Sequence, residues 1–206
     1  MCSSDLAGLI RLSGWDGSVP LADPLCGSGT LLIEAACGAL GIHPGLDRRY
    51  ALERWPDFNG PLWTAQCDAT AAAQRNALAN GQPLAAIVGN EADPLVLEQA
   101  QANAAAAGVA PWLQLQRGDC RDFVPPQGPG VLVCNPPYGE RIGERDQLEQ
   151  LYADLGRMLK ERCSGWQLWL LSGNPELTGA LRMKASRRIP VSNGGIDCRW
   201  LHYEIR

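Results

Sequence analysis

The tetrapeptide Asn135-Pro136-Pro137-Tyr138 follows the apolar run Val131-Leu132-Val133-Cys134, and its residue types suit chemistry on a flat amine. Asn135 carries a carbonyl acceptor and an amide donor. Pro136 and Pro137 fix φ and lack N–H groups, so the backbone there offers only carbonyl oxygens. Tyr138 adds an aromatic face and a hydroxyl. Together they offer two fixed acceptors beside a stacking surface, which suits a planar –NH2 group in a conjugated system. Asn-Pro alone is an ordinary turn starter. The whole tetrapeptide straight after a buried strand is a rarer combination and favours a functional role.

A second set lies earlier. Val19 to Ala22 reads as a strand running into Asp23-Pro24-Leu25-Cys26-Gly27-Ser28-Gly29-Thr30, and Leu31 to Ala36 reads as a helix. Strand, glycine turn and helix start form the layout of a nucleotide-binding first loop. The third glycine of the dinucleotide fingerprint would fall at Leu32, and no G-K-[ST] is present. An acid before a G-x-G turn instead suits a cationic, phosphate-free nucleoside. Glu91 stands at the tip of a second strand, Ala85 to Gly89, where it can accept from both ribose hydroxyls. Asp93 precedes Pro94 and reads as a helix N-cap. Asp119 ends a third strand, Trp112 to Arg117, and can accept from an adenine amine.

The elements that must position these residues alternate. The strand Gly130 to Asn135 is the fourth and Trp166 to Leu171 the fifth; Arg187 to Val191 and Cys198 to Tyr203 form a hairpin around Asn193-Gly194-Gly195. Helices are expected over 6–12, 62–79, 94–107, 148–160 and 176–183. Residues 41–81 form a helical insertion in which Trp55 and Trp63 serve as packing anchors. Residues 1–5 have no pattern and are expected to be non-native or disordered. The fold class is α/β, a doubly wound, mostly parallel seven-stranded sheet with an antiparallel C-terminal strand, and one domain is expected over 1–206.

Bulk properties narrow the classes. The chain has 206 residues, 46% hydrophobic, enough for a real core. No apolar run reaches membrane-span length and no signal peptide opens the chain, so a cytoplasmic protein is expected. None of the 8 cysteines falls in a C-x-x-C pair. With only two histidines, His43 and His202, they point to buried thiols in a reducing compartment and no metal site. The net charge is -4, yet residues 157–206 hold nine Lys/Arg against four Asp/Glu and the rest nine against eighteen. That quarter can face an anion.

At this point the chain resembles the class I S-adenosylmethionine-dependent methyltransferases. Residues 23–30 resemble their first motif; Glu91, Asp119 and Asn135 to Tyr138 resemble their second-strand, third-strand and catalytic motifs. Cys26 to Ala36, Asn135 to Gly143 and Asn193 to Arg199 together resemble the bacterial 23S ribosomal RNA guanine-N2 methyltransferases, over a stretch from about Leu6 to the C-terminus. The resemblance implies S-adenosyl-L-methionine held by Asp23, Cys26, Gly27, Ser28, Gly29, Thr30, Glu91, Ala92, Asp119, Cys120 and Asn135. It implies catalysis by Asn135, Pro136, Pro137 and Tyr138. Ribosomal RNA is the implied partner, with Arg141, Arg182, Lys184, Arg187, Arg188 and Arg199 expected to touch phosphates. That family usually carries an N-terminal RNA-binding THUMP module, for which this sequence has no segment, so docking is expected to need one. Glu91 stands where the family commonly has Asp and reaches further. The rival readings are a protein glutamine-N5 methyltransferase, a DNA adenine-N6 methyltransferase, and a nucleoside-binding subunit without turnover.

Overall fold

The computed structural model describes residues 3–43, 45–46, 48–80, 83–137, 145–193 and 195–206. Its strands are β1 (Leu21–Asp23), β2 (Ile87–Glu91), β3 (Leu113–Arg117), β4 (Val131–Cys134), β5 (Gln167–Ser172), β6 (Arg187–Asn193) and β7 (Ile196–Glu204). They form one seven-stranded sheet in the order β3-β2-β1-β4-β5-β7-β6. β1 pairs in parallel with β2 and β4, β2 with β3, and β4 with β5; β7 runs antiparallel to both β5 and β6. The chain order reverses between β1 and β4, the switch point at whose C-terminal strand ends open α/β sheets place their ligand crevice.

The helices are α1 (Ser3–Ser13), α2 (Thr30–Leu40), α3 (Gly60–Asn80), α4 (Pro94–Ala106), α5 (Arg145–Arg162) and α6 (Pro175–Gly179). Two apolar layers sandwich the sheet. Leu21, Ile87, Val131 and Val133 pack on one face against Leu9, Leu32 and Ala104 of the α1, α2 and α4 side. Ala22, Val88, Leu132 and Cys134 pack on the other against Tyr152, Leu155 and Leu159 of α5. This period-two division of β1 and β4 explains why their apolar residues run without a break. Of the described thiols, Cys26, Cys37 and Cys198 belong to the first layer, and Cys134 and Cys163 to the second.

Three expectations are corrected. α1 begins at Ser3, so residues 3–5 are helical, with Asp5 in the first turn and Leu6, Leu9 and Ile10 buried below it. α6 ends at Gly179, well short of 183, where Ala180 N–H and Arg182 N–H close turns onto Leu177 O and Gly179 O. A Cβ at Gly156 of α5 would come within 2.5 Å of Leu181 O, so the chain after α6 lies directly on α5 instead of coiling beyond it. In the insertion, Trp63 packs edge-on against Tyr50 at 5.6 Å and against Phe58 at 6.2 Å, as an anchor should. Trp55 is 65% exposed and anchors nothing. α3 itself presents Leu62 and Leu78 to solvent. No described helix is long and apolar enough to cross a membrane.

Candidate active site

The first loop is built for close backbone approach. Gly27 and Gly29 hold φ of 54° and 78°, in the left-handed region where a side chain is strained. Gly29 is the N-cap of α2 and gives the helix no side-chain cap. The first-turn N–H groups of α2 therefore remain available for an anionic group. Ser28 and Thr30 hydroxyls sit 3.1 Å apart across the turn.

Glu91 ties that loop to β2. Its Oε2 accepts from Gly27 N–H at 3.0 Å and its Oε1 from Asp93 N–H at 2.9 Å. The longer reach of Glu over Asp is what spans the gap to Gly27. Each carboxylate oxygen keeps a further lone pair for a hydroxyl donor. Asp93 caps α4 through Leu95 and Val96 N–H, so its structural role holds.

Asp23 is 2% exposed and accepts from Leu25 N–H at 3.0 Å. Burial raises its carboxyl to about 7, with Leu25 N–H and the Cys134 thiol opposing and Glu91 adding repulsion. A cation arriving beside it would favour the ionised form. Asp119 is set up the other way. Arg121 Nε donates to its Oδ1 at 2.9 Å and Arg121 Nη2 to its Oδ2 at 2.6 Å. These bonds, with Arg121 N–H, hold the Asp119 carboxyl down to about 2. The neighbouring Cys120 is pushed up to about 11 by burial, and burial also lifts Cys26 and Cys134. These thiols stay protonated at neutral pH and are poor nucleophiles.

Asn90, beside Glu91, carries a role the sequence did not declare. It is 2% exposed. Its Nδ2 donates to Gly118 O at 2.8 Å and Pro24 O at 3.3 Å, while its backbone carbonyl accepts from Cys26 N–H at 3.0 Å. One amide thereby fastens the loops after β1 and β3 to the tip of β2. A Cβ at Gly118 would meet Asn90 Oδ1 at 2.5 Å, so glycine is required there. Asn103 of α4 adds a bond from Nδ2 to Ser28 O at 3.1 Å. The only sequence signal was a buried-strand position occupied by an amide.

Across the crevice, Asn135 is half-buried just past β4, Pro136 is buried and Pro137 is exposed. Tyr138 and Arg141 lie outside the described residues. The crevice thus brings together Asp23, residues 26–30, Glu91, Ala92, Asp119, Cys120, Asn135 and Pro136 at one end of the sheet. The basic residues divide. Arg182, at φ 50°, and Lys184 lie exposed on the connection between α6 and β6. Arg187 lies over the Trp169 ring at 5.9 Å, on the α1 face of the sheet. Arg188 and Arg199 line a cleft on the α5 face. Among the described residues no group of three metal-ligating side chains is present.

The residues fit an adenosyl sulfonium: a glycine loop open to backbone approach, acids at three strand tips, and a carboxyl that a cation would ionise. Comparisons with known proteins agree. The family model for the RMKL-like methyltransferase domain matches residues 3–202. A candidate RNA methyltransferase of Synechocystis sp., slr0064, is 38% identical over 200 residues, spanning 97% of this chain and 51% of that protein. The structure of SMU.472, a candidate methyltransferase complexed with S-adenosylhomocysteine, aligns with TM-score 0.86 and 27% identity, over 99% of this chain and 52% of that one. A predicted N6-adenine-specific DNA methylase of Listeria monocytogenes aligns with TM-score 0.83 and 28% identity, over 100% and 52%. The chain spans about half the length of each of these relatives.

Proposed function

The chain belongs to the RMKL-like methyltransferase domain family, and from that premise we propose that it methylates the exocyclic N2 amine of a guanine in 23S ribosomal RNA, using S-adenosyl-L-methionine. The observation that carries the reading is the facing arrangement at the β1/β4 switch point. Acids at the tips of β1, β2 and beyond β3 face Asn135-Pro136 at the tip of β4.

In this reading Glu91 accepts the ribose hydroxyls and Asp119, held by Arg121, accepts the adenine amine. The first turn of α2 receives the carboxylate, and Asp23 balances positive charge beside the glycine loop. The bound cofactor supplies a methyl carbon made electrophilic by its sulfonium. Asn135 Oδ1 and Pro136 O accept the two N–H bonds of the guanine amine. That geometry localises the nitrogen lone pair and stabilises the positive charge that develops on it. Tyr138 stacks on the base, which must leave any duplex to reach the site. Docking on the ribosome falls to a THUMP module.

Support for RNA comes from the Synechocystis relative, whereas the Listeria relative's name favours a DNA adenine. Incubation of the protein with methyl-labelled cofactor, followed by separation of RNA, DNA and protein, decides between them. Label in a guanine of ribosomal RNA is the expected result. Label confined to DNA adenine or to a protein glutamine would replace this reading with the corresponding rival.

A further inference from the structure

We propose that the cleft between α6 and the β6–β7 hairpin is the docking groove for the phosphodiester backbone of the single strand that carries the target base. This rests on the polynucleotide reading above. The cleft has a volume of about 790 Å³ and is walled by Pro175, Thr178 and Met183 on one side and by Arg188 and Arg199 on the other.

Its position follows from strand register. Arg199 pairs with Ser172 at the tip of β5, and β5 is the neighbour of β4, where Cys134 pairs with Leu170. Pro136 lies two residues beyond Cys134, as Ser172 lies two beyond Leu170. Arg199 therefore stands level with Pro136, two strands away, or about 10 Å across the sheet. Arg188 pairs with Leu201, which makes it the diagonal neighbour of Arg199, about 7–8 Å along the ladder. Two guanidinium groups on one face, a short step from the acceptor site, suit successive contacts to one strand.

Charge pairing sharpens the assignment. Among the described residues neither Arg188 nor Arg199 takes part in an ion pair, whereas Arg121, Arg145, Arg157 and Arg206 each do. Asp197 also lines the cleft and is the acid a phosphate must avoid. On the α5 side, Asp146, Glu149 and Glu176 outnumber Arg182 and Arg145, and Arg145 already engages Glu176. A polyanion is turned away there and drawn towards the hairpin. Both guanidinium groups stand on one wall of the cleft, which suits the backbone of one strand. Arg187 lies on the opposite face of the sheet and takes no part.

The test is fluorescence anisotropy of the full chain with a labelled single-stranded RNA 12-mer and with a hairpin of the same composition. The wild type should prefer the single strand. Combined Arg188→Ala and Arg199→Ala should weaken single-strand binding on the order of tenfold. The variant should also make the log–log salt slope shallower by about 1.4, two contacts at about 0.7 each, with calorimetric cofactor affinity unchanged. Arg187→Ala should change neither. Unchanged affinity and slope in the double variant, or an equal loss in Arg187→Ala, overturns the groove while labelled ribosomal RNA from the wild type keeps the methylation reading. A wild type that binds no RNA and labels only protein overturns both.

Discussion

The two halves of the sheet's C-terminal edge are built to opposite designs. On the β3-β2-β1 side the loops are fastened to one another by Asn90, Glu91 and Asn103, and their polar groups are spent mostly on backbone. On the β4-β5-β7-β6 side, guanidinium groups face an open cleft without acidic partners among the described residues. A pre-set half suits a small ligand of constant shape, because little ordering remains when it binds. An open cationic half suits a long polyanion whose contacts are individually weak. In the proposed reading, the division separates binding of the methyl donor from recognition of the acceptor.

That contrast is broken most severely at Asp23, the buried acid of the pre-set half. Its carboxyl is raised from 3.8 to about 7 by burial. In the folded chain it holds a proton that the unfolded chain has released, so stability falls as pH rises from about 4 to about 7 and then levels. Asp23→Asn should remove that decline, on the order of 2–4 kcal/mol. Denaturant midpoints across this range, wild type against variant, check it; parallel curves would clear Asp23 of the role.

Next comes Asn135 on the acceptor half. Asn135→Ala should lower kcat by a factor on the order of 10² or more, with cofactor affinity held. Equal losses in both would mean that Asn135 only shapes the pocket. Glu91→Ala should do the reverse and weaken cofactor binding by roughly 1–3 kcal/mol, because Gly27 N–H and the incoming hydroxyls lose their acceptor. Calorimetry with unchanged affinity would exclude it. The smallest effect belongs to Arg187→Ala, which should cost about 0.5–1 kcal/mol of folding stability through its lost contact with Trp169 and leave methyl transfer intact. A drop in transfer would place Arg187 on the substrate path.

Much of this was legible in the chain. The alternation of apolar runs and glycine-closed helices located every strand of the sheet, and Asp23, Glu91 and Asp119 stand at or just beyond the C-terminal ends of their strands. Asn90 was invisible because its partners, Pro24 and Gly118, are 66 and 28 residues away and meet it only once β1, β2 and β3 lie side by side. The Arg121 clamp on Asp119 depends on the tight turn Cys120–Asp122, which has no distinct composition. Summing charge over residues 157–206 grouped Arg187 with Arg188, although strand alternation sends adjacent side chains to opposite faces. The length of α6 was overread because helix periodicity continues past Gly179, while the contact of Leu181 with Gly156 that stops it is a tertiary one.

Among the described residues the buried thiols other than Cys120 divide between the two layers of the sandwich, and that division supplies built-in reporters of breathing. Cys37 lies under the α1–α2 layer and Cys163 under the α5 layer, so each is expected to react as its own layer lifts, with the half-buried Cys67 of α3 as the more accessible reference. Timed alkylation followed by peptide mass analysis would rank the two layers by opening free energy without any engineered probe.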